Sequence, residues 1–288
     1  MDDNLYYKAT GKASVVSILT CLIGGLICTG ILASVYIALQ WFIPIIYFNF
    51  LITLGLAIGL IIVVNFLHRN GKVRNRLVAI VTMFFIALFA FYFQWALFVS
   101  LMMGSEGTMG NGTWVKSSFS YDYFLTYFLN PSLLWQDILL LNEYGTFSLK
   151  NSVVSGGFLW LVWAIEAIVI VGWPTFSMLA GDATKPFSET ENSWMSKRIL
   201  PDIFPYVEDK EKLADQLKKG DLSAIEQPIA EDETVDRFAT AEVYELPGDP
   251  HQYLSIKNVT LKTNKKGEIE RKEADVVEYF KLVAGTIA

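Results

Sequence analysis

Four uninterrupted apolar runs dominate the first two thirds of this chain, over residues 14–39, 42–67, 77–103 and 156–179. Each exceeds the ~20 residues that a helix needs to cross ~30 Å of hydrocarbon, so the pattern predicts four membrane-spanning helices. The first run is also longer than the ~7–15 residues of a signal-peptide core and reads as a retained anchor.

Between the third and fourth runs the pattern changes character. Residues 104–155 open on GSEGTMGNG, a flexible connection, and continue as YDYFLTYFLNPSLLWQDILLLNEYG. The aromatic and aliphatic residues there are interrupted by Asn130-Pro131 and by Asp122, Asp137 and Glu143. Stretches this short do not span, so one or two amphipathic helices are expected, Tyr121 to Leu129 and Pro131 to Leu141, lying at the outer membrane surface or capping the bundle. A re-entrant element is the competing reading.

Beyond the fourth run the periodicity is that of a soluble domain. Residues 182–207, with Pro186, Pro201 and Pro205, read as a linker. Residues 208–219 have helical spacing and end at Gly220, a C-cap residue. Phe238 to Leu246 alternates as a strand, and Tyr253 to Lys262 with Ile269 to Lys272 reads as a β-hairpin turning at Gly267. Val276, Val277, Phe280 and Val283 are spaced for a short closing helix, with a strand as the alternative. The fold class is therefore a four-helix transmembrane bundle (1–181) followed by a linker and a small α+β domain (208–288). A domain of that size has a marginal core and is expected to lean on the bundle, on a second copy or on another protein.

Composition agrees with this division: 53% of the residues are hydrophobic and 18% charged. The net charge of −6 belongs to the tail, since residues 182–288 hold 22 acids against 15 bases. A domain this acidic repels nucleic acid and anionic lipid, which excludes a nucleic-acid function. Basic residues gather instead in the short loop between the second and third spans, as Arg69, Lys72, Arg74 and Arg76. By the positive-inside rule that loop is cytoplasmic. Alternation then places Lys8, Lys12, Lys185, Lys197 and Arg198 on the same side, giving a plasma (inner) membrane protein with both termini inside.

Candidate chemistry is sparse. No phosphate-binding loop, dinucleotide fingerprint, HExxH, GxSxG or CxxC occurs, so no cofactor or reaction is implied. Cys21 and Cys28, seven residues apart on one helix, lie roughly 10 Å apart along its axis and cannot bond to each other. His68 and His251 stand without a second ligand at metal spacing. The run Glu231, Asp232, Glu233, Asp236 reads as a solvated face. Asn111-Gly-Thr113 and Asn258-Val-Thr260 fit the glycosylation pattern, of which only the first is expected to face outward.

The residue that needs an explanation is Glu166, in the middle of the fourth span, because an intramembrane carboxylate is costly and a functional candidate by default. Counting inward from the span ends places Gln94, Asn49 and Thr29 within about one helical turn of its level. A polar cluster of Glu166, Gln94, Asn49 and Thr29 is therefore expected, acting as a packing clamp or, alternatively, as a proton or ion relay. Gly55 and Gly59 form a GxxxG pattern in the second span. Thr20, Gly24 and Cys28 form a small-residue stripe in the first, so spans one and two are expected to pack closely. The favoured function is a non-enzymatic protein that anchors, assembles or regulates a membrane complex through its tail, with the lipid bilayer and a protein partner or second copy as its contacts. A transport or ion-conducting subunit organised around Glu166 is the alternative.

Overall fold

The computed structural model describes residues 5–43, 46–105, 118–149, 152–229 and 235–287. The chain divides into two units, one of Gly11–Thr184 and one of Met1–Thr10 together with Lys185–Ala288.

The first unit holds the helices α1 (Val15–Phe42), α2 (Ile46–Asn70), α3 (Arg76–Met103), α4 (Tyr121–Leu129), α5 (Pro131–Tyr144), a two-stranded hairpin β1 (Phe147–Leu149) and β2 (Ser152–Val154), and α6 (Gly156–Ala167). A π-helical segment, Ile168–Gly172, and α7 (Trp173–Ser177) continue α6. Four of these stretches are long and apolar enough to cross a membrane: Val15–Phe42, Phe48–Asn70, Arg76–Met103 and Gly156–Thr184. Their outward faces carry Ile23, Ile27, Ile31, Ile62, Phe66 and Phe85, all exposed, as lipid-facing helices require. The chain is a multi-pass membrane protein in this sense.

Small residues set the helix spacing. A Cβ on Gly24 would meet Leu67 at 3.3 Å and one on Gly59 would meet Leu32 at 3.3 Å, so α1 and α2 run antiparallel in close contact. Gly55, the other half of the GxxxG pair, is exposed and faces open space. Cys28 is half-buried, while Cys21 is buried with its sulfur against Gly71 in the α2–α3 turn. The tightest approach is between α1 and α3, where a Cβ on Gly25 would come within 2.4 Å of Ile86 Cδ1. Gly25→Val should therefore lower the unfolding midpoint in detergent by the equivalent of about 1–3 kcal/mol. Ile86→Ala in the same chain should recover most of that loss.

Three flanks meet at one end of the bundle. Asn75 caps α3 and donates to Gly11 O, Arg74 N donates to Lys12 O, and Arg69 lies 3.9 Å from Asp182. Lys72 adopts a positive φ in the turn, and Arg76 begins α3.

At the other end, α4 and α5 do not lie across the bundle as expected for surface helices. From Ser118, beside Gly104, α4 descends along α3, setting Phe124 edge-on to Phe93 at 5.3 Å and Phe128 edge-on to Phe89 at 6.2 Å. Tyr92 donates to Phe128 O at 2.6 Å. After the Asn130-Pro131 turn, α5 returns, packing Leu134, Ile138 and Leu141 with Trp95, Ala96 and Val99, and Asn142 donates to Gly156 O. One apolar side of each helix packs against spans, while Leu129, Trp135, Leu139 and Leu140 stay exposed on the other, the arrangement the re-entrant reading expects.

The second unit is built on an antiparallel sheet of five strands. In chain order its elements are β3 (Phe187–Ser188) paired with β4 (Ser193–Trp194), then β5 (Ser196–Ile199), β6 (Phe204–Pro205), α8 (Lys210–Lys218), α9 (Ser223–Glu226), β7 (Arg237–Glu245), β8 (His251–Thr263) and β9 (Ile269–Val283). The main sheet runs β5-β7-β8-β9, with β6 on β7. Asp209 caps α8, whose Leu213 and Leu217 pack on Ala239, Ala241, Val243, Leu254, Ile256, Val277 and Phe280.

Three expectations are corrected here. Residues 182–207 are not a linker, because β5 and β6 lie within them and both pair with β7, the first too short, and the second too short and proline-bearing, to announce itself. The unit boundary accordingly falls at 184, not 207. Residues 274–283 form no helix but the end of β9, where a bulge puts Leu254 opposite Phe280 and Ile256 opposite Val277. Tyr279 takes a φ of +53° there and donates its N–H to Ser255 Oγ. The extra residue makes two inward side chains three apart, which imitates helical spacing.

The edge of β9 is closed by the start of the chain. Tyr6 bridges Phe280, Tyr7 N donates to Tyr279 O, and Lys281 N donates to Leu5 O. Both chain ends thus belong to one unit.

Candidate functional site

Glu166 stands near the end of α6, where the π-helical segment begins two residues later. A wide turn follows because Pro174, in α7, has no N–H to give back to the preceding turn, and Trp173 N reaches five residues back to Ile168 O. The acid does not face lipid alone: Tyr36 of α1 donates its hydroxyl proton to Glu166 Oε1. Gln40 Nε2, one turn further along α1, donates to the Tyr36 oxygen at 2.7 Å. Thr53 Oγ1 of α2 lies 3.4 Å from the same oxygen, and its own proton goes to Asn49 O at 2.8 Å. A directed chain results, from Gln40 through Tyr36 to Glu166, joining spans one and four with span two alongside.

Of the four residues expected around this level, the structure brings Asn49 near through its backbone carbonyl, while its buried Oδ1 has no partner among the described residues. Thr29 and Gln94 are fully within the bundle, and among the described residues Thr29 Oγ1 and Gln94 Nε2 make no hydrogen bond. Among the described residues neither bonds to Glu166. Tyr36, Gln40 and Thr53 take their place. Depth was readable from residue counts, but the azimuth of each side chain around an apolar helix was not. The one available signal was the tyrosine itself, a polar group inside an apolar run.

A second polar position lies at the charged end of the bundle. His68 is 1% exposed, and its Nε2 sits 2.7 Å from Thr82 Oγ1. The Thr82 hydroxyl donates to Val78 O, so the imidazole is the donor between α2 and α3. This is a packing hydrogen bond rather than a ligand set. His251 follows Asp249 in a turn, its N–H donating to the Asp249 carboxylate. Among the described residues no three His, Cys, Asp or Glu side chains gather as metal ligands. Glu231, Asp232 and Glu233 and the Asn111–Thr113 motif lie outside the described residues; Asp236 accepts from Leu261 N through its backbone carbonyl. Asn258 is buried, holding Val207 through both amide atoms.

In the terminal unit the polar centre is Glu242, 8% exposed, with Lys197 Nζ at 3.1 Å and Lys257 Nζ at 3.4 Å on one carboxylate oxygen. Burial alone pushes this carboxyl up, but the two ammonium groups outweigh it and hold it below its ordinary 4.5. A depressed folded value means that the stabilisation is present above 4.5 and is lost as pH falls through the folded value. The denaturant midpoint of the terminal domain should therefore fall more steeply below pH 4.5 in the wild type than in Glu242→Gln.

No protein-family model, curated protein or solved structure matches this chain. The functional reading accordingly rests on the geometry alone.

Proposed function

We propose that this chain is a non-enzymatic membrane protein that anchors and assembles a membrane complex, making contact through the α4–α5 turn and through its terminal domain. One observation carries the reading. The turn around Asn130, Pro131 and Ser132 is exposed, yet Pro131 borders the same groove as Phe85 and Phe89, midway along α3. The Asn130 side chain does not cap α5, since its amide turns back to Thr126 O. The first-turn N–H groups of Ser132 and Leu133 have no intrahelical acceptor. Hydrocarbon cannot satisfy such groups, and irregular backbone at membrane depth persists only where protein covers it or water reaches it. A partner surface bearing acceptors meets that need.

The engaged state of Glu166 supports the same reading, because its bond to Tyr36 is what a packing clamp requires. The terminal domain, with its own core and both chain ends inside it, is the module offered to soluble or peripheral partners. The cations Arg69, Lys72, Arg74 and Arg76 favour the cytoplasmic side for that end, and hence the plasma membrane with both termini inside. Chemical crosslinking in native membranes followed by affinity purification should recover a defined partner or a second copy with the wild-type chain, and recovery should fall with Ser132→Leu. Recovery of monomer alone from both chains would overturn the reading.

The π-helical segment beside Glu166 favours a second reading, a transport or ion-conducting subunit, because such bulges recur at functional sites. Proteoliposomes separate the two. A conducting subunit shows proton or cation flux that Glu166→Gln abolishes, whereas an assembly protein shows none.

A further inference from the structure

A groove of about 760 Å³ runs between α3, α5 and α6, walled by Phe89, Tyr92, Trp95, Trp135, Trp160 and Trp163. Its floor on α6 is Ala164 and Ala167, small residues that leave the space open. We propose that it binds one acyl chain of a glycerophospholipid from the leaflet on the β1–β2 side of the bundle.

Position, dimensions and chemistry all point to that occupant. The groove lies on spans three and four, so its surroundings are the bilayer rather than water. It follows α3 from Phe85 to Trp95, about 15 Å of helix. That is half of the ~30 Å hydrocarbon thickness, the depth one acyl chain covers. At roughly 30 Å³ per methylene, near the volume share of a water molecule, the space takes one long chain and not two. Among the described residues no charged side chain lines it, which leaves a free fatty acid without a counter-ion for its carboxylate.

The walls are also pre-formed. Trp95 meets Trp163 edge-on at 4.8 Å, Trp163 meets Trp160 edge-on at 5.2 Å, and Trp160 meets Trp135 at 5.7 Å. Rings fixed by one another do not collapse into the space, so a bound chain does not have to reorder them, and the loss of side-chain entropy on binding is small.

Two measurements test this on the full-length protein. First, lipid retained after purification in mild detergent is quantified by mass spectrometry for the wild type, for Ala164→Phe with Ala167→Phe, and for Ile62→Phe, a bulky change on a lipid-facing position elsewhere. One phospholipid per chain should stay with the wild type and with Ile62→Phe, and occupancy should drop about tenfold in the filled groove. Second, tryptophan quenching by acyl-brominated phospholipid is followed in the unmutated protein. It should saturate at low mole fraction. Equal retention in all three chains, quenching that rises only in proportion to brominated lipid, or a polypeptide that protects the groove would each overturn the proposal.

Discussion

Glu166→Leu should destabilise the bundle by about 1–3 kcal/mol, because it leaves the Tyr36 hydroxyl inside the membrane with only the distant Thr53 oxygen, 3.4 Å away, as acceptor. The near acceptor for that hydroxyl is the Glu166 carboxyl, Gln40 already donates to its oxygen, and Thr53 Oγ1, whose own proton goes to Asn49 O, is a second acceptor at a long 3.4 Å. Glu166→Gln keeps an acceptor oxygen at the same place and should cost less than about 1 kcal/mol, the usual worth of one interhelical bond in a membrane. Tyr36→Phe should cost a similar amount. Combining Tyr36→Phe with Glu166→Leu removes both members, so the double variant should be more stable than the sum of the two losses implies. Unfolding in mixed micelles gives all four values. Additive losses, or a Glu166→Gln variant as unstable as Glu166→Leu, would show that the carboxyl does something other than hold Tyr36.

The second large effect concerns the terminal domain. Phe280 is 2% exposed at the centre of its core, edge-on to Tyr6 at 5.5 Å, and paired with the chain's own start. Phe280→Ala should cost about 3–5 kcal/mol, a large share of the 5–15 kcal/mol that holds a domain of this kind folded. Limited proteolysis should then cut the 185–288 unit rapidly while the four spans stay protected. Tyr6→Ala should act in the same direction but less, since it removes the closing segment rather than the centre. If neither change exposed the terminal unit, the pairing of residues 5–7 with β9 would not be a source of its stability.

The spans could be read from the sequence because nothing but a bilayer accommodates uninterrupted apolar runs of that length, and α4, α5 and α8 were visible from capping residues and from Asn130-Pro131. The hidden parts have specific causes. Strands β5 and β6 are too short to show alternation, and the bulge at Tyr279 breaks the period of two, so Val277 and Phe280 face inward together. Glu166 was identifiable by its cost in lipid, but its partners were not. A helix apolar all round does not say which side of it faces a neighbour, so Thr29 and Gln94 fitted by depth as well as Tyr36 did. The inward tilt of α4 and α5 was hidden for a related reason: an apolar stripe fits a membrane surface and a neighbouring span equally.

The central claim is that protein, not lipid, covers the Asn130–Ser132 turn. A photoreactive residue placed at position 132 in cells, with one at position 62 as a lipid-facing reference, tests it directly. The account predicts a discrete polypeptide adduct from position 132 and lipid adducts from position 62. Lipid adducts alone from both positions would contradict it.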